Sequence, residues 1–258
     1  MNRTEDDRQS VTEAAPVVWI TGAGRPRLGQ HLARDWAAVG ARLILHAHQS
    51  RRGVEILADE LAAEGERPLV VVGDLSDAAE VERMLDQAVA RFGRVDHLIH
   101  TASTWLRRPL EDLTPAETLV EWQNNLAAPF WLCQQVGLQM VGQPQGGSIV
   151  LIGDWSCDRP HRDYAAYFVS KGALPTLVRV FAVELSQRNP LVRVNGLLPG
   201  PLVLPGDREV ADRPLDPAAN LIGRGVGPAE ITAAVMLLAT NRAFQGTMLP
   251  VHGGRDLV

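Results

Sequence analysis

Lysine is almost absent from this 258-residue chain: Lys171 is the only one, although lysine and arginine together number 25. Arginine replaces lysine readily on solvated surfaces, but a planar guanidinium cannot stand in for a compact ammonium whose pKa can be tuned. The retained lysine therefore points to chemistry at that position. Tyrosine is nearly as scarce, and both tyrosines, Tyr164 and Tyr167, lie just ahead of it in Tyr-Ala-Ala-Tyr-Phe-Val-Ser-Lys. The two cysteines, Cys133 and Cys157, lack metal or redox spacing and are too few for a disulfide framework, which fits a reducing, cytoplasmic setting. No apolar run approaches the length needed to span a bilayer. Residues 1–16 are rich in charge and lack a signal peptide's apolar core, so a disordered tail is expected there. A net charge of −5 with dispersed arginines argues against a nucleic-acid or anionic-membrane partner and leaves a small molecule.

What the chain does have is apolar residues, 46% of the total, enough for a large core. From Val17 onward short apolar runs alternate with longer amphipathic stretches, the pattern of βαβ units. Strands are expected near 17–21, 42–46, 68–72, 95–100, 148–152, 191–195 and 247–251. They predict one α/β domain over 17–258, a doubly wound Rossmann fold with a seven-stranded parallel sheet and helices on both faces. Asp77 with Glu80 reads as a capping box, Gly93 and Gly65 as helix stops, and Pro129 as the start or kink of a helix. The stretch 199–228, rich in Pro, Gly, Asp and Arg, reads as a substrate lid or mobile loop.

The first strand runs into Thr21-Gly-Ala-Gly-Arg-Pro-Arg-Leu-Gly29. Glycines 22, 24 and 29 allow a tight turn and close approach to a pyrophosphate at the start of a helix near Leu28. An NAD site usually has an acidic residue after the second strand, but here the chain reads His46-Ala-His48-Gln-Ser50-Arg51-Arg52. That set suits a 2′-phosphate, so NADP(H) is the expected cofactor. Asp74 and Leu75, after the third strand, are placed to hold the adenine edge. On a helix Tyr167 and Lys171 share a face, so the ammonium is expected to lower the phenol pKa toward working pH.

Together the glycine turn, Asp74-Leu75, Asn125, Tyr167-x-x-x-Lys171 and Pro199-Gly200 resemble the short-chain dehydrogenase/reductase family over nearly the whole chain after residue 16. The resemblance implies Tyr167 as proton donor or acceptor, Lys171 as its pKa-lowering partner and ribose ligand, Asn125 as support of a water relay, and a homotetramer. The family's catalytic serine falls thirteen residues before the tyrosine, where this chain has Asp154; Ser156 is two residues too late. Aspartate there resembles pteridine reductases and the short-chain dihydromonapterin or dihydrofolate reductases. So do Arg27-Leu28-Gly29, His46-x-His48-x-Ser50 and Ala102-Ser103-Thr104-Trp105. This resemblance implies that Trp105 stacks a pterin ring and that Ser103 and Arg27 contact pterin and cofactor phosphates. His100-Thr-Ala and His252-Gly-Gly depart from the family pattern. The alternatives are a generic carbonyl or alcohol oxidoreductase, an enoyl-thioester reductase using the Tyr164-x(6)-Lys171 spacing, a non-catalytic NADP-sensing protein, and a scaffold.

Overall fold

The computed structural model describes residues 15–202 and 219–258. The expected tail, up to residue 14, and the central part of the 199–228 loop lie outside them.

Seven parallel strands form one sheet in the order β3-β2-β1-β4-β5-β6-β7. They are β1 (Val17–Thr21), β2 (Arg42–Ala47), β3 (Leu69–Val72), β4 (His97–His100), β5 (Gly147–Ile152), β6 (Val192–Pro199) and β7 (Met248–Val251). β1 is Val-Val-Trp-Ile-Thr and wholly buried, as a strand covered on both faces requires. Its alternation divides the core. Val17 and Trp19 pack with Met84, Leu132 and Val178, whereas Val18 and Ile20 pack with Leu32, Leu57 and Val235.

These partners place α3 (Ala78–Phe92), α5 (Ala128–Val141) and α7 (Leu174–Ser186) on one face, with α1 (Leu28–Ala38), α2 (Arg51–Ala62) and α8 (Pro228–Thr240) on the other. Two shorter helices, α4 (Pro115–Trp122) and α6 (Ala165–Gly172), flank the carboxyl ends of the strands. Strand order reverses between β1 and β4, which opens a crevice there at the carboxyl edge.

Departures from the sequence expectation have local causes. β6 runs on to Pro199 because β7 pairs with its second half, Gly196 to Pro199, and because buried Asn195 is satisfied by Phe244 O and Thr247 N. β4 starts later than expected: the Val95 backbone exchanges hydrogen bonds with the Gln143 side chain at 2.9 Å rather than joining the ladder. Asp77 caps α3 through Ala79 N, but Glu80 turns to Arg83, so the expected capping box is not formed; the reciprocal box is at Thr114 and Glu117. Gly93 ends α3 at φ 75°, while α2 is capped at Ala63 and Gly65 is not left-handed.

Pro129 does sit in the first turn of α5 and is preceded by a π-helical segment, Gln123–Ala127. Contrary to expectation, the nearly continuous Ala165–Ser186 is long and apolar enough to cross a bilayer. A core helix meets the same test, and here α7 packs on β6.

Candidate active site

β5 ends at Ile152, and the chain leaves the sheet through Gly153 and Asp154 into a single 3-10 turn, Trp155–Asp158. The Asp154 carboxylate is held from both sides. Oδ1 accepts from Ser156 N at 2.8 Å and Ser156 Oγ at 2.6 Å, and Oδ2 accepts from the Tyr167 hydroxyl at 2.6 Å. Ser156, set aside in the sequence as misplaced, is thus the residue that orients Asp154. Only contacts across the turn reveal it.

One turn beyond Tyr167, Lys171 is 5% exposed and donates to Ile152 O at 2.9 Å. Burial lowers its ammonium to about 8, against the opposing pull of Asp154, Cys157 and Glu121. The phenol behaves opposite to expectation: burial and the adjacent Asp154 carboxylate push Tyr167 well above its ordinary range. Lys171 is held by a carbonyl, and a carboxylate is the phenol's hydrogen-bond partner. Tyr167 is therefore a protonated donor at neutral pH. Tyr164 is the N-cap of α6, and its ring packs edge-on to Phe168 at 6.2 Å rather than reaching Asp154.

Asn125 lies within the π-helical turn and is 1% exposed. Its Oδ1 accepts from Thr104 N and Ser103 Oγ, each at 3.0 Å; its Nδ2 donates to Thr104 O at 2.9 Å and Glu121 Oε2 at 3.2 Å. The amide thus pins the segment after β4 to α4, and Ser103, expected at the ligand, spends its hydroxyl on this clamp. Beside it Trp105 is half-exposed, with the Arg27 guanidinium over its ring at 4.3 Å. These two residues face each other across the β1–β4 crevice.

The glycine turn is shaped by close approaches. Gly22 has φ +76°, and an added Cβ would stand 2.9 Å from Ala102 N; at Gly29 it would stand 2.7 Å from Gly22 O. At Gly24 a Cβ would meet Ser50 and Ala47, so this glycine is required by packing on β2 and α2. Gly53, unremarked in the sequence, is tighter still, its notional Cβ falling 2.0 Å from Gly24 O.

The first turns of α1 and α2 contain no acidic residue and no side-chain cap. Arg25 bridges them, with Nε 3.4 Å from Ser50 Oγ, while His48, Arg51 and Arg52 are exposed beside it. Open helix starts ringed by arginines fit the phosphates of a dinucleotide. Arg25 escaped notice because the turn carries one residue more than the motif it resembles.

His46 does not join this group. It is buried, bonded to Gly73 O at 3.0 Å and Gly22 N at 3.4 Å, and burial lowers its pKa to about 4. A neutral ring inside the sheet is a brace between β1 and β3, not a phosphate ligand. Leu28 and Leu75 likewise bury their side chains in the core, leaving only backbone groups for a ligand. Asp74 is partly buried and its carboxylate is occupied by Ser76 N and Oγ at 2.9 and 2.8 Å. Pro199 ends β6, and Gly200 follows with its N–H on Val251 O at 2.9 Å, against His252 at the same carboxyl edge.

A sheet that reverses at β1–β4, a glycine turn opening α1 and a Tyr-Lys pair at the carboxyl edge define a nucleotide-dependent oxidoreductase of the short-chain class. The chain belongs to the short-chain dehydrogenase/reductase family: the family model described as enoyl-(acyl carrier protein) reductase matches residues 22–256. It is 31% identical to D-threitol dehydrogenase of Mycolicibacterium smegmatis, over 92% of each chain. It is 28% identical to the hydroxynaphthalene reductase-like protein Arp2 of Metarhizium anisopliae, over 72% of this chain and 68% of that one. Among solved structures, a short-chain type dehydrogenase/reductase from Mycobacterium marinum superposes with a TM-score of 0.87 at 26% identity, covering 95% of this chain and 97% of that one. A putative betaketoacyl-ACP reductase gives 0.79 at 28% identity, covering 94% and 98%.

Proposed function

We propose that this oxidoreductase uses NADPH to reduce a pterin or folate-like heterocycle, as a cytoplasmic homotetramer. The observation that carries the reading is the 2.6 Å hydrogen bond from Tyr167 to Asp154, at the place where a carbonyl-reducing relative would present a hydroxyl. NADPH, when bound, supplies the hydride. Lys171 would hold its nicotinamide ribose, the α1 start with Arg27 its pyrophosphate, and Arg25, Ser50 and the α2 start its 2′-phosphate.

Reduction of a ring C=N bond needs a proton at nitrogen as hydride reaches carbon. Tyr167 is protonated at neutral pH and gives up that proton; Asp154 holds the hydroxyl aimed and is the adjacent route for reprotonation. The buried Lys171 ammonium offsets the negative charge left on the phenol. Trp105 offers a flat apolar face to a heterocycle, and the amino-pyrimidine edge of such a ring can pair with a carboxylate. Apolar residues exposed on α5 (Phe130, Leu138) and along α6–α7 (Val169, Val180, Val183) support the homotetramer.

A second reading, a polyol or carbonyl oxidoreductase, is favoured by the likeness to D-threitol dehydrogenase and by the Ser156 hydroxyl beside Asp154. Enoyl-thioester reduction through Tyr164 is disfavoured, since Tyr167 and not Tyr164 bonds Asp154. The deciding experiment is NADPH oxidation against dihydrobiopterin, dihydromonapterin, dihydrofolate, simple ketones and an enoyl thioester, with NAD(P)-linked threitol oxidation alongside. Turnover of a pterin or folate alone supports the proposal. Turnover of ketones or threitol with no pterin reduction overturns it.

A further inference from the structure

The His252-Gly-Gly motif, which departs from the family pattern, folds into a hook at the carboxyl edge of the sheet. Gly253 and Gly254 are both left-handed, at φ +66° and +71°, and turn the chain back directly after β7. An added Cβ would stand 2.8 Å from Ile222 at the first and 2.9 Å from Leu221 at the second, and Leu221 N donates to Gly253 O at 2.9 Å. The hook carries Arg255, a cation 8% exposed. A buried charge is costly unless it is paired or hydrogen-bonded. Here the Arg255 guanidinium lies over the Trp155 ring, 5.1 Å from its centroid, and Nη1 donates to Ala219 O at 3.1 Å. Its backbone N–H donates to His252 Nδ1 at 3.2 Å, and the buried His252 ring flanks Trp155 at 6.2 Å.

Trp155 follows Asp154 and opens the 3-10 turn that Asp154 caps. The same turn carries Ser156, whose N–H and hydroxyl hold Asp154 Oδ1, while Oδ2 receives the Tyr167 hydroxyl at 2.6 Å. A four-residue 3-10 turn has little internal hydrogen bonding, so its aim depends on contacts from outside. Trp155 makes them, with Arg255 and His252 of the hook and with His161 at 6.5 Å. We propose that Arg255 is a positioning residue for the reaction: by clamping Trp155 to the hook it keeps the Asp154 carboxylate on the Tyr167 hydroxyl. A planar guanidinium suits the place because it can stack on an indole and still donate in its own plane to a carbonyl. The role goes beyond the pterin reading and holds for any substrate that takes its proton from Tyr167.

Because the chain has two tyrosines, protein labelled with ¹³Cζ-tyrosine gives two resonances, which Tyr164→Phe assigns. The Cζ shift reports the hydrogen bond made by each phenol, and Asp154→Asn marks the position of Tyr167 without its carboxylate partner. At neutral pH Arg255→Ala should move the Tyr167 resonance toward that position and leave the Tyr164 resonance in place. Trp155→Ala should do the same, and the double variant should move it no further than the larger single change, since both residues act through one contact. Arg255→Lys, which keeps the cation without the planar stack, should move it less than alanine does. The Arg255→Lys and Trp155→Phe variants serve as the test should the alanine variants fail to fold. A folded variant whose Tyr167 resonance stays at the wild-type position would overturn the proposal, even with a lowered thermal midpoint, because Arg255 would then anchor the fold alone. Additive shifts in the double variant would likewise overturn the clamp through Trp155.

Discussion

The Tyr167 hydroxyl donates to the Asp154 carboxylate at 2.6 Å, and that contact reverses the electrostatics expected of a tyrosine followed by a lysine one turn later. The carboxylate, together with burial, holds the phenol protonated well above neutral pH, while the lysine is turned to the Ile152 carbonyl. Asp154→Asn removes the charge and keeps the shape, so the Tyr167 midpoint should fall and the alkaline limb of the kcat/KM profile should move to lower pH. Turnover should drop by about tenfold to a thousandfold with cofactor affinity within about threefold of wild type. Ultraviolet difference titration of the phenol and parallel kinetics check both halves.

Tyr167→Phe and Lys171→Arg should each remove about 99% or more of turnover while circular dichroism stays native. Tyr164→Phe should leave turnover within about threefold of wild type, since that ring packs on Phe168 away from Asp154. An inactive Tyr164→Phe beside an active Tyr167→Phe would instead identify the enoyl-reductase arrangement.

Arg25 joins the starts of α1 and α2, where a 2′-phosphate would be read. Arg25→Ala should weaken NADPH by about tenfold and NADH by much less, the loss of one charge-assisted contact. NADPH affinity should also fall as salt rises. Fluorescence titration of both cofactors at two ionic strengths measures it; equal NADH and NADPH affinity in the wild type would reject the cofactor assignment.

Three histidines make the fold sensitive to acid. Burial lowers His46 and His97 to about 4 and His100 to about 3, from an ordinary 6.5. Between these values and 6.5 the unfolded chain binds protons that the folded chain excludes. The stabilisation is complete above pH 6.5 and is lost as pH falls. With three groups the slope should approach about 4 kcal/mol per pH unit at its steepest. Denaturant midpoints measured from pH 7 to 4.5 report the slope, and His46→Asn and His97→Asn should each flatten it.

Gly53 leaves no room for a side chain: a Cβ there would overlap Gly24 O at 2.0 Å. Gly53→Ala should destabilise the protein by about 1–3 kcal/mol and displace the cofactor turn. The thermal midpoint should fall and NADPH should bind more weakly. Gly40→Ala serves as the contrast: its φ of +80° strains the backbone but open space surrounds it, so only the midpoint should move.

The sequence determined what depends on nearest neighbours along the chain. Apolar runs set the strands because parallel strands are buried on both faces. Gly22 and Gly29 marked the turn, Gly93 and Pro129 marked a helix end and a helix start, and a lone lysine four residues after a tyrosine marked α6. Contacts between distant segments were decided only by tertiary structure. His46 and Ser50 lie four apart on adjoining local motifs, yet one is sealed between β1 and β3 and the other meets Arg25 at the start of α2, because the strand ends between them. Ser156 looked misplaced by count and became the brace of Asp154 once a 3-10 turn folded it back. Glu121 carries no signal in the sequence, yet it is buried in α4, which packs on α6. Burial and charge at a site are sums over neighbours brought together by folding, and sequence spacing records only those within a turn or two of the same element.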